Sequence, residues 1–350
     1  MIYTVEIMQG QLSHSPGQGP IGASMEDVAE AAGVSISTVS RALRNASNVR
    51  PETTARVHDA AARLGFSASP SAASLATGKV KRIAVLIGSP LTDWFSGTIL
   101  DGIYREVRSA GYDLLLYRVH DADERRVFFE TLPARRNADA LLVASFALTP
   151  DEQATLERMR VPVVYLNQKV SGSAGVGIDD RGAGRAATEY ALGLGRRRVV
   201  FLRERGLEGF RWSARDRYRG YLDALDAAGL SASAELVEEP GGGRFGVSAA
   251  DRILAGAVPV VVACESDGIA IRLLAALRRR GARVPDDVAV IGFDGQPEGE
   301  LFGLTTVVQP VAEMTGWAAR TAVALARDAN APRERLELPT VLRLGTTTPR

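Results

Sequence analysis

The chain has 350 residues, of which 46% are hydrophobic and 24% charged, and it is longer than one hydrophobic core usually organises, so two or three compact units are expected. One cysteine and three histidines exclude an intramolecular disulfide framework and leave little from which to build a zinc site, so no metal or cofactor is predicted. The opening run is too short for a signal sequence and no stretch of about 18 apolar residues follows, so we expect a cytoplasmic protein with no membrane partner. The net charge of +1 neither indicates nor excludes nucleic acid.

Changes of composition divide the chain into four parts. Residues 1–23 are rich in Gly, Pro, Ser and Gln without an apolar period, which predicts a disordered arm. In residues 24–66 apolar side chains recur at helical spacing, which predicts three short helices. Residues 67–81 combine small side chains with a proline and are interpreted as a linker, and residues 82–350 form the remaining part.

The predicted helices begin with the pattern of a helix-turn-helix. Ser24 followed by Asp27 resembles a capping box, Gly33 supplies a turn, and Ser35 can cap a second helix. A recognition helix contacts base edges mainly from its N-terminal part. The side chains expected to face the major groove are Ile36, Ser37, Thr38, Ser40 and Arg41. Spacing alone leaves open a helical hairpin that serves only for packing.

Beyond residue 82, continuously apolar runs alternate with helical stretches. Examples are IAVLIG from Ile83, VPVVVAC from Val258 and VAVIGFD from Val288. Such runs are typical of strands buried on both faces of a parallel sheet. The predicted fold class is therefore α/β, with an all-α head followed by two lobes of doubly wound parallel sheet. Ligands bind beyond the carboxyl ends of such strands, so the cleft between the lobes is the predicted binding site.

A resemblance to a known family is carried by DVAEAAGVSISTVSRAL, from Asp27 to Leu43. This segment closely resembles the signature of the lactose-repressor (LacI/GalR) family of transcriptional regulators. The resemblance continues to about Thr348 and is strongest at VPDDVAVIGFDG, from Val284. It implies a DNA-binding domain at 24–66 and a sensor similar to periplasmic binding proteins. It also implies that two side chains of the second helix choose bases and that four contact phosphate or flanking bases: Ile36 and Ser37 in the first group, Ser35, Thr38, Ser40 and Arg41 in the second.

The resemblance also implies how the lobes and the linker are arranged. Lobe 1 is expected at about 82–181 and 310–329, and lobe 2 at about 182–309 and 330–350. The linker resembles the family's hinge, in which Leu75 matches a leucine that enters the minor groove. The match is imperfect, because Ala68-Ser69 replaces the usual Pro-Asn, and a contact between Leu75 and the sensor is the alternative.

Ligand-binding residues follow from the resemblance by position. Arg217 and Asp267 resemble the arginine and the aspartate that reach the ligand, and such a pair suits a polyhydroxylated neutral molecule. The expected effector is a sugar or sugar derivative, and a purine or nucleoside is the alternative. The other candidates are two aromatic residues after the first strand and two carboxylates at strand ends: Trp94, Phe95, Asp179 and Asp294. Each candidate also has a purely structural alternative. Arg217 and Asp267 could form a salt bridge, the two aromatic residues could belong to the core, and the two carboxylates at strand ends could cap the following helices.

One further motif offers a competing interpretation. The sequence GAGRAA, from Gly182 to Ala187, with Glu204 further on, has the spacing of a dinucleotide-binding fingerprint. Asp179 and Asp180 directly before it would repel a pyrophosphate, so nucleotide binding is not favoured.

The sequence therefore predicts a regulator, expected to be a repressor, that binds operator DNA as a homodimer under the control of a small ligand. A two-lobed binding protein without DNA function is the alternative. An enzyme is not expected, because no convincing nucleophile and base arrangement is visible.

Overall fold

The computed structural model describes residues 23–43, 48–66, 79–144, 147–205, 212–240 and 247–349. The chain divides into two compact units, Met1–Lys79 and Val80–Arg350. The predicted arm up to residue 22 and Leu75 in the linker lie outside the described residues. In the part of the chain that is described, no helix has the length and apolarity needed to cross a membrane.

The first unit contains the three predicted helices, α1 to α3: Met25–Ala32, Ile36–Leu43 and Pro51–Arg63. The capping box is confirmed, since the Asp27 amide donates to Ser24 Oγ at 3.1 Å and the Ser24 amide donates to the Asp27 carboxylate at 2.7 Å. Gly33 ends α1 at φ +64°, a conformation that glycine adopts without strain. Ser35 Oγ accepts the Thr38 amide at 3.3 Å and so caps α2, as predicted.

These helices enclose a small core of their own. Its buried residues come from all three helices: Val28, Ala29, Ala32, Val39, Ala42, Val57, Ala60 and Ala61. Leu43, predicted to face inward, is half-buried and packs against this cluster. The apolar period of the sequence is thus the packing stripe of each helix.

Lobe 1 of the second unit is a six-stranded sheet in the order β11-β5-β4-β3-β1-β2. Its strands β1 to β5 and β11 are Arg82–Ile87, Asp113–Arg118, Ala140–Ala144, Val163–Leu166, Ala174–Gly177 and Arg335–Glu337. Its helices α4 to α7 and α13 are Trp94–Ser109, Ala122–Thr131, Ala134–Asn137, Pro150–Arg158 and Val311–Arg327. All neighbouring strands of this sheet are parallel.

Lobe 2 repeats the plan with a sheet in the order β12-β10-β9-β8-β6-β7. Its strands β6 to β10 and β12 are Val199–Arg205, Glu235–Pro240, Val260–Cys264, Val288–Asp294, Thr305–Val308 and Val341–Arg343. Its helices α8 to α12 are Asp180–Gly193, Trp212–Ala227, Val247–Ala255, Asp267–Arg279 and Pro297–Leu301. The edge strand β12 pairs antiparallel with β10, and the other pairs are parallel.

Two details differ from the sequence prediction. The sequence analysis placed all of residues 330–350 in lobe 2. In the structure, β11 pairs with β5 and so belongs to lobe 1. A segment near the C-terminus can pair with an edge strand that lies far from it in the sequence. The run at Asp113 was expected to be buried on both faces. It forms the edge strand β2, with three of its six residues exposed and three half-buried.

Helices α8 and α9 of lobe 2 pack unusually close together. A Cβ atom on Gly184 would lie 2.4 Å from the Arg217 carbonyl oxygen, and one on Gly220 would lie 2.0 Å from the Arg181 carbonyl oxygen. Both contacts are with backbone, which cannot move aside as a flexible side chain would. The glycine-rich motif therefore has a packing role here, and it brings Arg217 against the start of α8.

This close packing predicts a strong effect of a single methyl group. We expect Gly220→Ala to lower the free energy of unfolding by about 1–3 kcal/mol, because the added carbon overpacks the contact between the helices. Gly193→Ala is the matched control, since nothing lies within 4 Å of its added carbon, and it should be neutral or slightly stabilising. Urea unfolding of both variants is the measurement, and equal stability of the two would contradict the packing role.

Candidate functional site

A cleft of about 800 Å³ lies between the two lobes of the second unit. Lobe 1 contributes Trp94, Phe95 and His120 to its lining, and lobe 2 contributes Arg217 and Asp294 among others. Apart from Arg217, which lies in the second turn of a helix, these residues follow or end strands or begin helices at the carboxyl edges of the two sheets. The cleft therefore lies where the topology of parallel sheets predicts a ligand.

The guanidinium of Arg217 forms the floor of the cleft. Arg217, in the second turn of α9, is 6% exposed, and its Nε donates to Asp180 Oδ1 at 2.8 Å. Its Nη1 donates to the Glu265 carbonyl oxygen at 2.6 Å and lies 3.5 Å from Asp294 Oδ1. The guanidinium carbon is 3.5 Å from the ring centroid of Phe293, a cation–π contact. One cation thus joins the start of α8 to the ends of β8 and β9.

Asp294 ends β9 and lines the cleft in a strained conformation. Its φ of +124° is unusual for a residue with a side chain, and the Gln309 amide donates to its Oδ1 at 2.8 Å. Burial raises the pKa of the Asp294 carboxyl to about 7, the Arg217 charge opposes this rise, and the Asp267 charge adds to it. Asp294 therefore titrates near neutral pH.

The structure does not bring the other two carboxylates of the sequence prediction into this lining. Asp267 is fully buried behind it, accepting the Thr306 hydroxyl at 2.6 Å and the Gln296 amide at 2.7 Å. Burial raises the pKa of Asp267. Asp179 lies beside Lys169 and lines a separate pocket of about 160 Å³. Asp267 thus holds the loop after β9, and Asp179 precedes α8 outside the cleft.

Trp94 and Phe95 have two roles at once. They form the first turn of α4, line the cleft, and are half-buried while packing against the main core cluster. The sequence analysis offered ligand contact and core packing as alternatives for these two residues. In the structure both residues line the cleft and also pack against the core.

Sequence reasoning missed several groups that line the cleft. The most buried is Glu265, 4% exposed, and others are Ser213, Gln296 and Phe302. Glu265 directly follows strand β8 just as Asp294 ends β9, so the rule that ligands meet strand ends could have identified it.

In the first unit, the N-terminal turn of α2 is open to solvent. Ile36 is 43% exposed, and Ser37 and Arg41 are exposed beside it. Ser35 Oγ lies 2.9 Å from both Ser37 Oγ and Thr38 Oγ1. Arg41 Nε donates to the Ser37 carbonyl oxygen at 3.2 Å, which holds the guanidinium along the helix. Thr38 and Ser40 are half-buried. Ser35, Ile36 and Ser37 are thus exposed at the start of α2, and Arg41 is exposed in its last turn.

Among the residues that the structure describes, one group of side chains could hold a metal ion. Donor atoms of His120, Asp121 and Glu124 lie within 4.8 Å of one another, and His120 also lines the cleft. All three are exposed or half-exposed, and both ring nitrogens of His120 already face a carboxylate. Such surface groups are common without an ion.

Comparisons with known proteins match both units. Residues 24–69 match the family described as bacterial regulatory proteins, lacI family, and residues 188–348 match the periplasmic binding protein-like domain. The chain is 33% identical over 287 residues to the HTH-type transcriptional regulator GntR of Pseudomonas aeruginosa, covering 78% of this chain and 80% of the relative. It is 30% identical over 300 residues to the HTH-type transcriptional repressor PurR of Vibrio atlanticus, covering 82% and 87%. Among solved structures, the complex of the transcriptional regulator CelR with cellobiose has a TM-score of 0.65 at 26% identity and covers 93% of this chain and 99% of that one.

A helix-turn-helix unit combined with a two-lobed domain of the periplasmic-binding-protein type defines a class of transcriptional regulators. The chain belongs to the lacI family of bacterial regulatory proteins within this class.

The raised pKa of Asp294 predicts a pH-dependent stability. In the folded state the ionised carboxylate is disfavoured, so the stability that Asp294 contributes is present below its unfolded pKa of 3.8 and is lost as pH rises toward about 7. We expect Asp294→Asn to be more stable than the unaltered protein at pH 8, with a difference that shrinks toward pH 4, because asparagine does not ionise. Urea unfolding across this pH range is the measurement, and Asp123→Asn, at a side chain 90% exposed, is the control. A difference that grows as pH falls would refute the assignment.

Proposed function

We propose that the protein is a cytoplasmic repressor whose affinity for operator DNA is set by a sugar or sugar derivative bound between its lobes. The observation that carries this proposal is the buried Arg217–Asp294 pair on the floor of an aromatic-walled cleft between two lobes. A guanidinium donates and a carboxylate accepts hydrogen bonds, so together they recognise the hydroxyls of a sugar. Trp94 and Phe95 offer flat faces that can stack on its apolar side.

The DNA-binding part of the proposal depends on α2. Ile36 and Ser37 are the candidates for choosing bases, because they are exposed at the N-terminal turn. Ile36 has an apolar side chain that can meet a thymine methyl group. Ser35, Thr38, Ser40 and Arg41 are proposed to contact phosphates or flanking bases, and Leu75 to enter the minor groove.

Within the sensor, we propose that Asp267 and Asp179 do not contact the ligand directly as Arg217 and Asp294 do. Asp267 positions the Gln296 amide and the β9 loop, so it supports the ligand site from behind. Asp179 acts at the start of α8, where the chain passes from lobe 1 to lobe 2. A purine or nucleoside is the second candidate for the effector, because the same aromatic pair could stack on a base.

Control of DNA affinity requires that the ligand favour one arrangement of the lobes. Asn167 of lobe 1 donates to Ser213 Oγ at 2.8 Å and to Asp180 Oδ2 at 3.3 Å, both in lobe 2. Asp180 in turn binds Arg217. Hydrogen bonds thus connect the cleft floor to lobe 1. A ligand that changes them shifts the lobe equilibrium by its difference in affinity for the two states, and DNA must shift ligand affinity equally.

The proposal is tested with operator fragments selected from genomic DNA and a thermal-shift screen of sugars and nucleobases. Arg41→Ala should weaken operator binding about tenfold in gel-shift titration at fixed salt.

Arg217→Ala should keep operator binding but lose the ligand response, because the Arg217 guanidinium holds Asp180, Glu265 and Asp294 in place at the cleft floor. Arg105→Ala, exposed on α4, is the control for both assays. Failure to retain any genomic fragment would contradict the repressor proposal. A normal ligand response of Arg217→Ala would contradict the proposed ligand site.

We also propose that the protein acts as a homodimer that uses an apolar surface on lobe 2. Leu301 is 85%, Val341 65% and Leu344 63% exposed. The Arg343–Glu300 ion pair, at 2.5 Å, joins the two segments that carry them. Large exposed apolar side chains grouped together mark interaction surfaces, and a pseudo-palindromic operator calls for a two-fold partner.

Charging this surface should separate the dimer. The double variant Leu301→Asp with Leu344→Asp is expected to sediment as a monomer at micromolar concentration and to bind operator about 100-fold more weakly, because paired binding is lost. Val127→Asp, at an apolar residue 47% exposed on lobe 1, is the matched control and should stay dimeric. A double variant that remains dimeric would show that this surface is not the interface.

A further inference from the structure

The two carboxyl oxygens of Asp294 have different surroundings. Oδ1 accepts the Gln309 amide at 2.8 Å and lies 3.5 Å from Arg217 Nη1. Oδ2 has no hydrogen-bond partner among the residues that the structure describes. Asp294 lines the cleft between the lobes, and its side chain is 11% exposed. The carboxyl group is thus held through one oxygen, and the other oxygen can take a proton or accept a hydrogen bond from a ligand.

The two groups that hold Oδ1 are buried and fixed. Gln309 is 5% exposed, and its amide nitrogen donates to Oδ1. Arg217 is 6% exposed and donates to Asp180 Oδ1 at 2.8 Å and to the Glu265 carbonyl oxygen at 2.6 Å, both closer than Asp294 Oδ1. Arg217 therefore neutralises the Asp294 carboxylate only in part, because its shorter hydrogen bonds go to other groups.

Charged groups act on Asp294 from three helices. Arg217 of α9 favours the ionised carboxylate, whereas Asp267 at the start of α11 and Asp180 at the start of α8 disfavour it. All four residues are at most 8% exposed, so water screens these interactions weakly. Asp294 is consequently close to the balance between its protonated and ionised forms at neutral pH. The other titratable or charged residues of the cleft lining are Asp93, His120, Glu204, Glu265, Arg272 and Glu298.

A ligand hydroxyl distinguishes the two forms of Asp294. The ionised carboxylate accepts a charge-assisted hydrogen bond, which is stronger than a bond between neutral groups. In the protonated form the hydrogen belongs on Oδ2, because Oδ1 already faces the donors of Gln309 and Arg217. That hydrogen occupies the position from which a ligand hydroxyl would donate.

We propose that a hydroxyl of the effector and a proton compete for Asp294 Oδ2, so that effector affinity falls as the pH falls below neutral. This inference depends on the proposed function, in which a sugar binds between the lobes. Binding of the sugar releases a proton from Asp294, and by linkage a proton on Asp294 weakens the sugar by the same factor. The sensor thus combines sugar concentration and pH in one response.

The first test measures sugar affinity against pH. The probes are glucose, galactose, mannose, ribose and cellobiose, and the one that binds most tightly at pH 8 is titrated by calorimetry between pH 8 and pH 6. With a midpoint near 7 in the free protein and an ionised carboxylate in the complex, affinity should fall about tenfold over this range. Titrations at pH 7 in buffers of different ionisation enthalpy should show the release of about half a proton per site.

The second test assigns the pH dependence to one residue. Asp294→Asn should bind the probe more weakly at pH 8, equally at pH 8 and pH 6, and without proton release, because asparagine does not ionise. Histidine is the side chain that ordinarily changes charge in this range, so His120→Gln examines the other candidate in the lining and should keep the tenfold ratio. Asp123→Asn, at a side chain 90% exposed, is the control and should change neither affinity nor ratio.

The outcomes separate this inference from the proposed function. Equal affinity at pH 8 and pH 6, a pH dependence that survives in Asp294→Asn, or one that disappears in His120→Gln would overturn the competition at Oδ2. Each of these results leaves a sugar-binding regulator standing, since binding at pH 8 and operator binding are measured on the same preparation. Failure of every probe to bind at pH 8 contradicts the sugar effector of the proposed function and this inference with it.

Discussion

The buried ion cluster centred on Arg217 determines the shape of the cleft. Its guanidinium ties the start of α8 to the ends of β8 and β9 through Asp180, Glu265 and Asp294. A buried charge is tolerated only when it is paired and hydrogen-bonded, so these elements hold each other in place. The cluster reaches lobe 1 through Asn167. The cluster that we propose as part of the ligand site is thus also hydrogen-bonded to both lobes.

That cluster depends in turn on close packing between helices. Gly184 and Gly220 let α8 and α9 approach until backbone meets backbone, which places Arg217 next to Asp180. A motif with the spacing of a nucleotide fingerprint therefore serves to position a side chain. The same residues in another setting would cradle a phosphate, which shows why such a motif needs its structural context.

The parts of the structure that local forces determine could be predicted from the sequence. The capping box at Ser24, the turn at Gly33 and the exposed start of α2 depend on neighbouring residues alone. Tertiary contacts determine the rest. Asp267 and Asp294 both lie at strand ends, and the positive φ of Asp294 turns it to the cleft while Thr306 and Gln296 hold Asp267 behind it. Likewise, the pairing of β11 with β5 joins segments far apart in the chain.

We propose that Asp294 is a buried carboxyl on the floor of the effector site, opposed by the charge of Arg217. Titration of its side-chain carbon resonance by NMR, with and without a saturating ligand from the screen, tests this most directly. A midpoint near 7 in the free protein, displaced when the ligand binds, is the predicted result. A midpoint near the ordinary value of 3.8 would show that the Asp294 carboxyl is not buried against Arg217, and a midpoint that the ligand leaves unmoved would show that Asp294 lies outside the effector site.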